Sequence, residues 1–475
     1  MIVTALVLAP IFIGLALFAL PSSTSVGRWI GAGVAALAFV VIAASPGAPD
    51  ASVPWLARPF VANFHFGFGV ISYWIVLLLA AITFSALLVA QAPRANAFAA
   101  QMLVLQGAMT GVFLAKDLLP FALFWDLMLI PVFMLLLGWG APARGHGTAA
   151  WKYLIYNVVG GLALLLATAA FGVVHGTTDV ICAPALPQSI AGDVWGSWIF
   201  AGFALAFLIK TPVWPFHTWM PDTYAESPPP VVAAVSAIQS KAGLYGFIVI
   251  GVPFLTDQMH AAAPLMIVLG LIALVYGALV ALTQTDAKRI VAYSSLSHLG
   301  LILVAIFSFN PLALAGAVVY IIAHGLSSAS TFLTLGFIER REETRDLARL
   351  GGLGSTNPRL AGAMLLSALA ALGLPGLAGF AGELLILAGV YGAGLWWAAL
   401  IALVPIVLAA AYMLRLFQTL MNGPTVADLP ERPDLTWLEG IALAPLVAGF
   451  ILVGINPHPL VQLLPNGANV VAHLR

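Results

Sequence analysis

The chain has 475 residues, 62% of them hydrophobic and 8% charged, with a formal net charge of zero at pH 7. Soluble domains average about 25% charged residues, so this composition, with a mean hydropathy of +1.05, excludes them and points to a polytopic membrane protein. The even charge balance suggests no nucleic-acid partner, and a single cysteine, Cys182, excludes a disulfide framework or a thiolate cluster within the chain.

Crossing a bilayer as a helix takes about 20 apolar residues. In chain order the apolar runs predict spans near 2–20, 29–45, 69–91, 96–115, 118–138, 150–174 and 196–220. They continue near 229–252, 263–282, 289–309, 311–338, 360–391, 394–420 and 437–457. The first run lacks a positive leader and a small-residue cleavage site, so it reads as a retained helix. The expectation is an all-α polytopic protein of about fourteen transmembrane helices with both ends on one side. Basic residues favour the cytoplasmic loops. Arg28, Arg94, Lys152, Lys288, Arg289 and the run from Arg340 to Arg359 all fall in odd-numbered loops, as do Arg144, Arg415 and Arg432. Arg58, Lys116 and Arg475 are the basic residues of the other side. That bias places both termini outside.

The largest cytoplasmic loop, starting ERREETRDLARL at Glu339, mixes both signs at helical spacing. It reads as a solvated loop with local ion pairs, or else as a docking surface.

Spans four to eight and nine to thirteen form two sets of five, and an odd number inverts the second set relative to the first. The fourth member of each set is interrupted, by KTPVWP from Lys210 and by ALGLPGLAGFAGE up to Glu383. Paired interruptions at matching positions point to a transport site. The units are then 1–95 (three N-terminal helices), 96–252 and 253–420 (the two inverted repeats) and 421–475 (a loop and the last helix).

Six embedded titratable residues are the candidates for a proton pathway: Asp126, Lys210, Lys241, His298, His324 and Glu383. A charge at mid-membrane costs roughly 2.5–3.5 kcal/mol on insertion scales and usually marks an ion or proton route. Lys210 precedes Pro212 and Pro215, which lack amide hydrogens and break the helix there. Asp126, in FALFWDLMLIPVF, has nothing polar near it in sequence. Burial disfavours the charged form of an acid and of an amine alike, so a buried Asp126 and a buried lysine can exchange a proton at little cost. A static ion pair fixing helix packing is the alternative. His298 and His324 lie on adjacent spans beside serines, and histidine can pass a proton through either ring nitrogen. Glu383 follows the second interruption. His217, Asp222 and Glu226, by the turn after span seven, could form a mouth or be structural. No phosphate loop, dinucleotide fold or metal-ligand cluster is readable, so the chain is not expected to oxidise a nicotinamide or to bind a cofactor or metal itself.

The stretches FLIKTPVWPFHTWMPDTYAESPPP, SKAGLYGF, AKRIVAYSSLSHLGLI, IIAHGLSSASTFL and LGLPGLAGFAGELLIL resemble the antiporter-like subunits of respiratory complex I (NADH-quinone oxidoreductase). WDLMLIPVFMLLLGWG and AAYMLRLFQTLMNGP resemble the subunit M, or chain 4, type in particular. The similarity runs over residues 65–460. It implies a fourteen-helix fold with two inverted five-helix repeats and broken helices seven and twelve. It also implies a proton-conducting role in which Asp126 stands for the family's helix-five glutamate and Lys210 and Lys241 for its two lysines. His298, His324 and Glu383 stand for its histidines and its exit acid. NADH, FMN, iron–sulfur clusters and quinone are then expected in partner subunits of a complex in the bacterial cytoplasmic membrane. This chain departs from the family where PDAH reads PDTY, with Tyr224 for histidine, and where GVDGIS reads GFGVIS, with Gly69 for an acid. Other readings are a subunit of a multisubunit sodium/proton antiporter or membrane-bound hydrogenase, or a scaffold that has lost pumping.

Overall fold

The computed structural model describes residues 1–21, 24–141, 145–179, 194–423 and 433–461. Cys182, Arg144, Arg432 and Arg475 lie outside the described residues. The apolar runs fold as helices α1 (Ile2–Leu17) and α2 (Val26–Ala44), then α3 (Val70–Leu88), α4 (Ala95–Leu114), α5 (Leu118–Leu127), α6 (Leu129–Trp139) and α7 (His146–His175). Next come α8 (Val194–Lys210), α9 (Trp219–Glu226), α10 (Pro229–Ala237), α11 (Ala242–Gly246), α12 (Val252–Phe254), α13 (Thr256–Thr283), α14 (Ala287–Phe307) and α15 (Pro311–Glu342). The chain continues through α16 (Leu353–Thr356), α17 (Pro358–Ala371), α18 (Ala378–Gly392), α19 (Trp396–Met421), α20 (Trp437–Ile455) and α21 (His458–Val461). Among the described residues eleven helical segments are long and apolar enough to cross a membrane, and four more are shorter but apolar. The chain is a multi-pass membrane protein.

A helix that is apolar all round belongs in the interior, and α4, α14 and α15 are buried on nearly every side. By contrast α1, α2, α7 and α19 keep Phe12, Leu37, Leu166 and Val407 exposed, as a lipid-facing surface would. Polar side chains join helices inside the bundle: the Ser297 hydroxyl of α14 donates to the Leu274 carbonyl of α13 at 2.8 Å. Asp286 and Asn310 start α14 and α15 by accepting the Lys288 and Leu312 amides at 2.9 Å.

Both expected interruptions are present, between α8 and α9 and between α17 and α18. Two helices expected to be continuous are not. The span at 118–138 divides at Met128 into α5 and α6. Pro131 three residues on has no amide hydrogen for the Leu127 carbonyl. The span at 229–252 divides further, into α10, a tight 3₁₀ turn Gln239–Lys241, α11 and a π turn Phe247–Gly251. Such turns within a helix often mark functional positions.

The connection between α2 and α3 holds an element that hydropathy does not show. Strands β1 (Ala51–Leu56) and β2 (Ala62–Phe66) pair antiparallel, Ala51 opposite Phe66. The hairpin is tied to the bundle surface: the Lys116 amide donates to the His65 carbonyl at 2.8 Å and the Asn63 amide to Asp117 at 2.7 Å. His65 Nδ1 meets Asp179 at 3.1 Å.

Candidate functional site

The first interruption leaves Lys210 as the last residue of α8, 1% exposed. Backbone freed at a break must find partners inside the protein. The Trp219 indole donates to the Ile209 carbonyl at 3.0 Å, and the Val213 amide to that of Leu208 at 3.0 Å. The Lys210 ammonium has no hydrogen-bond partner among the described residues and stands 4.9 Å from the centre of the Trp125 ring. Its neighbour in charge is Asp126 on α5, with which it interacts electrostatically. The two form no ion pair within hydrogen-bond reach, and Asp126 Oδ1 also lacks a partner among the described residues. That oxygen fills the space a side chain at Gly161 would take: a Cβ there would lie 1.8 Å from it. The pair is adjacent and open.

Lys241, which is 0% exposed, ends the 3₁₀ turn rather than sitting in a regular helix. Its ammonium curls back to the Ser236 carbonyl and to the Ser240 hydroxyl, at 3.3 Å from the latter. Ser328 of α15 donates to the Ser236 hydroxyl at 2.9 Å, joining α10, just before this turn, to α15. Between the two lysines lie buried aromatic and amide groups. Gln239 donates to the Tyr153 hydroxyl at 2.6 Å, Tyr153 packs on Trp219 at 5.5 Å between ring centres, and Tyr224 packs on Phe332 at 5.7 Å.

Beyond Lys241 the structure brings the remaining candidates together. Its charge reaches both His298 on α14 and His324 on α15, whose rings lie 5.3 Å apart edge to face. Tyr320 stands 5.6 Å from the His298 ring, and its hydroxyl donates to Glu383 Oε1 at 2.6 Å. Glu383 is 5% exposed and backs onto the interruption. Gly373 there has φ +76°, a region that L side chains avoid, and a Cβ on it would lie 2.3 Å from Glu383 Oε2. The Tyr412 hydroxyl shares a hydrogen bond with Ser294 at 3.0 Å nearby, within electrostatic reach of Glu383. Sequence reasoning missed Tyr320. The signal was available: in YIIAH it precedes His324 by four residues, and positions four apart share a helix face.

His217, Asp222 and Glu226 do not join this series. His217 is buried with its ring 5.1 Å from Tyr276. Asp222 is held between Lys152 at 2.8 Å and Arg289 at 2.9 Å. Glu226 pairs with Arg345 at 2.6 Å, and Arg345 also meets Asp286 at 2.5 Å. Burial works against the Arg345 guanidinium, but Asp286, Glu226 and Glu339 outweigh it and hold its pKa above the usual arginine value. Lys288 pairs with Glu339 at 2.6 Å, and Arg341 with Glu439 at 2.7 Å. The expectation of a loop from Glu339 is corrected: residues 339–342 are the end of α15, and the ion pairs of Glu339, Arg341 and Arg345 reach across to α9, the start of α14 and α20 rather than staying local.

A family model described as "NADH:quinone oxidoreductase/Mrp antiporter, TM" matches residues 115–409. NADH-quinone oxidoreductase subunit M of Mycobacterium tuberculosis is 37% identical over 377 residues, covering 78% of this chain and 68% of that protein. The subunit M of Rhodobacter capsulatus is 31% identical over 471 residues, 95% of this chain and 91% of the relative. Among solved structures, a chain of respiratory complex I from Thermus thermophilus superposes with a TM-score of 0.88 at 30% identity, covering 99% of each chain.

Proposed function

Because the chain belongs to the NADH:quinone oxidoreductase/Mrp antiporter membrane family, we propose that it is a proton-translocating membrane subunit of an NADH-quinone oxidoreductase. It sits beside other membrane subunits of a complex I-like assembly, and the redox chemistry of NADH, FMN, iron–sulfur clusters and quinone belongs to partner subunits. The membrane is the bacterial cytoplasmic one. Taking α17 and α18 as one crossing, and α1 and α8 as two short ones, the spans number fourteen, and both termini lie outside. The two inverted repeats are 96–252 and 253–420, flanked by 1–95 and 421–475.

One observation carries this reading. Lys210, Lys241, His298, His324 and Glu383 come from five separate elements and are all buried; Lys241 and the two histidines lie within electrostatic or ring-contact range of one another, and Tyr320 links His298 to Glu383. Redox work that moves Asp126 away from Lys210 leaves an ammonium without a counter-charge in an apolar setting. Its proton is then driven toward Lys241, the histidines and Glu383. Asp222 and Glu226 act as structural anchors at the rim, and His217 is a packing residue.

The coupling ion is the proton. A sodium site needs several hard oxygens converging. Asp126 faces Gly161 and the Lys210 charge, and Glu383 faces Tyr320, so neither acid has the other beside it. The test is ion uptake in membrane vesicles with sodium varied and a protonophore present. Proton uptake that is independent of sodium is expected. Sodium uptake that persists with the proton gradient collapsed and disappears in Lys241→Met would overturn the assignment.

A further inference from the structure

We propose that Tyr320 is a positioning residue of the proton route: it holds the Glu383 carboxylate toward the histidine pair through its hydroxyl while its ring abuts His298. The role rests on the proton-pathway reading and adds to it a residue that does not itself titrate near neutrality.

The geometry is specific. Tyr320 and His324 stand four residues apart on α15 and so project from one face. The Tyr320 side chain is 2% exposed, its ring lies 5.6 Å from His298, and its hydroxyl reaches Glu383 Oε1 at 2.6 Å. That length lies within the ordinary range of an O–H···O hydrogen bond. Among the described residues this is the hydrogen bond Glu383 receives. The other carboxylate oxygen lies against Gly373, where no side chain intrudes. Behind the ring, Gly382 comes so close that a Cβ there would lie 2.8 Å from the Tyr320 Cβ. One carboxylate oxygen is therefore fixed by α15, the helix of His324, and the other borders the interruption between α17 and α18. Without the hydroxyl, the carboxylate is free to turn about its own side-chain bonds, and the directed step from the histidines to Glu383 loses its alignment.

Tyr320→Phe tests this, because it keeps the ring on His298 and Gly382 and removes one oxygen. In the purified whole complex, the infrared carboxyl band assigned to Glu383 by its absence in Glu383→Gln is expected to shift in Tyr320→Phe. In proteoliposomes, proton uptake per assembled complex is expected to fall about fivefold, the worth of one ordinary hydrogen bond. Adding Tyr320→Phe to Glu383→Gln is expected to cause no further fall, since the two act through one contact. An unmoved carboxyl band, uptake equal to the parent, or an equal further fall in the Glu383→Gln background would each overturn the positioning role. Should Glu383→Gln itself translocate protons like the parent, the pathway reading would fail first and take this role with it.

Discussion

At the rim of the bundle Arg345 lies between Glu226 at 2.6 Å and Asp286 at 2.5 Å, and Arg341 holds Glu439 at 2.7 Å. At its centre Lys210 faces the Trp125 ring, and Lys241 turns back on the carbonyl of Ser236. All four cations are buried to within a few per cent, so burial alone does not separate them. Partnership does. A buried pair with good geometry costs several kcal/mol to open and therefore makes a fixed joint between segments. A buried ammonium resting on a ring face or a carbonyl has no such hold, and loss of its proton removes the desolvation cost of its charge. The rim cations are tied to carboxylates of other segments, whereas neither central ammonium has a carboxylate within hydrogen-bond reach among the described residues.

The sharpest way to break the comparison is Lys241→Met, which keeps length and apolarity and removes only the amine. Proton translocation should be abolished while the complex assembles normally, as measured by uptake per electron in reconstituted vesicles. Uptake like the parent's would make the central lysine a packing residue no different from the rim. Arg345→Met asks the opposite question. It strands Glu226 and Asp286 at a buried joint and should cost about 3–5 kcal/mol of stability, read as a lower unfolding temperature and a smaller yield of complex. A stable, fully assembled variant would show that the rim pairs hold nothing together.

Smaller effects sharpen the first pair. Asp126→Asn and Lys210→Met should each impair translocation, and Asp126→Glu should stay active because it keeps the carboxylate. Gly161→Ala leaves both charges intact and moves only the carboxylate, whose oxygen occupies the missing side chain's place. Translocation slowed several-fold is expected, and an Ala variant that pumps normally would mean the position of Asp126 does not matter.

The smallest expected effect lies on the hairpin. A hydrogen bond from Asp179 raises the His65 pKa above the usual histidine value, against the pull of burial. Burial pushes Asp179 up, but bonds from His65 and Asn63 outweigh it and hold it below the usual value. The stability contributed by protonated His65 is thus complete below its unfolded pKa and is lost as pH rises through the raised folded value. The Asp179 contribution is present above the ordinary aspartate pKa and is lost as pH falls through the depressed one. Hydrogen-exchange protection of residues 51–66 should therefore weaken on the alkaline side by about 1 kcal/mol. His65→Gln should flatten that dependence. If the parent's protection already ignores alkaline pH, the tether does not depend on this charge.

Much of this was legible along the chain. Hydropathy marked the spans, and the prolines of KTPVWP and the glycines of LGLPGLAG marked both interruptions, because proline lacks a donor and glycine tolerates the turn wherever they fall. Asp126, Lys210, Lys241, His298, His324 and Glu383 stood out because a charge in an apolar run is costly in any fold. The unwinding at Lys241 was not legible: alanine-rich sequence around Gln239 without proline predicts a helix, and the bonds that accompany the turn run to Tyr153 on α7 and, through Ser236, to Ser328 on α15. The β-hairpin was hidden because its ties to Lys116, Asp117 and Asp179 are to residues distant in the chain. Sequence by itself determined which titratable groups lie within apolar runs, since that property belongs to one residue and its near neighbours. Which of them meet was decided by the tertiary structure. A hydrogen bond such as that from Tyr320 to Glu383 depends on two helices, 63 residues apart, being brought to within a few tenths of an ångström, and no local pattern carries that information.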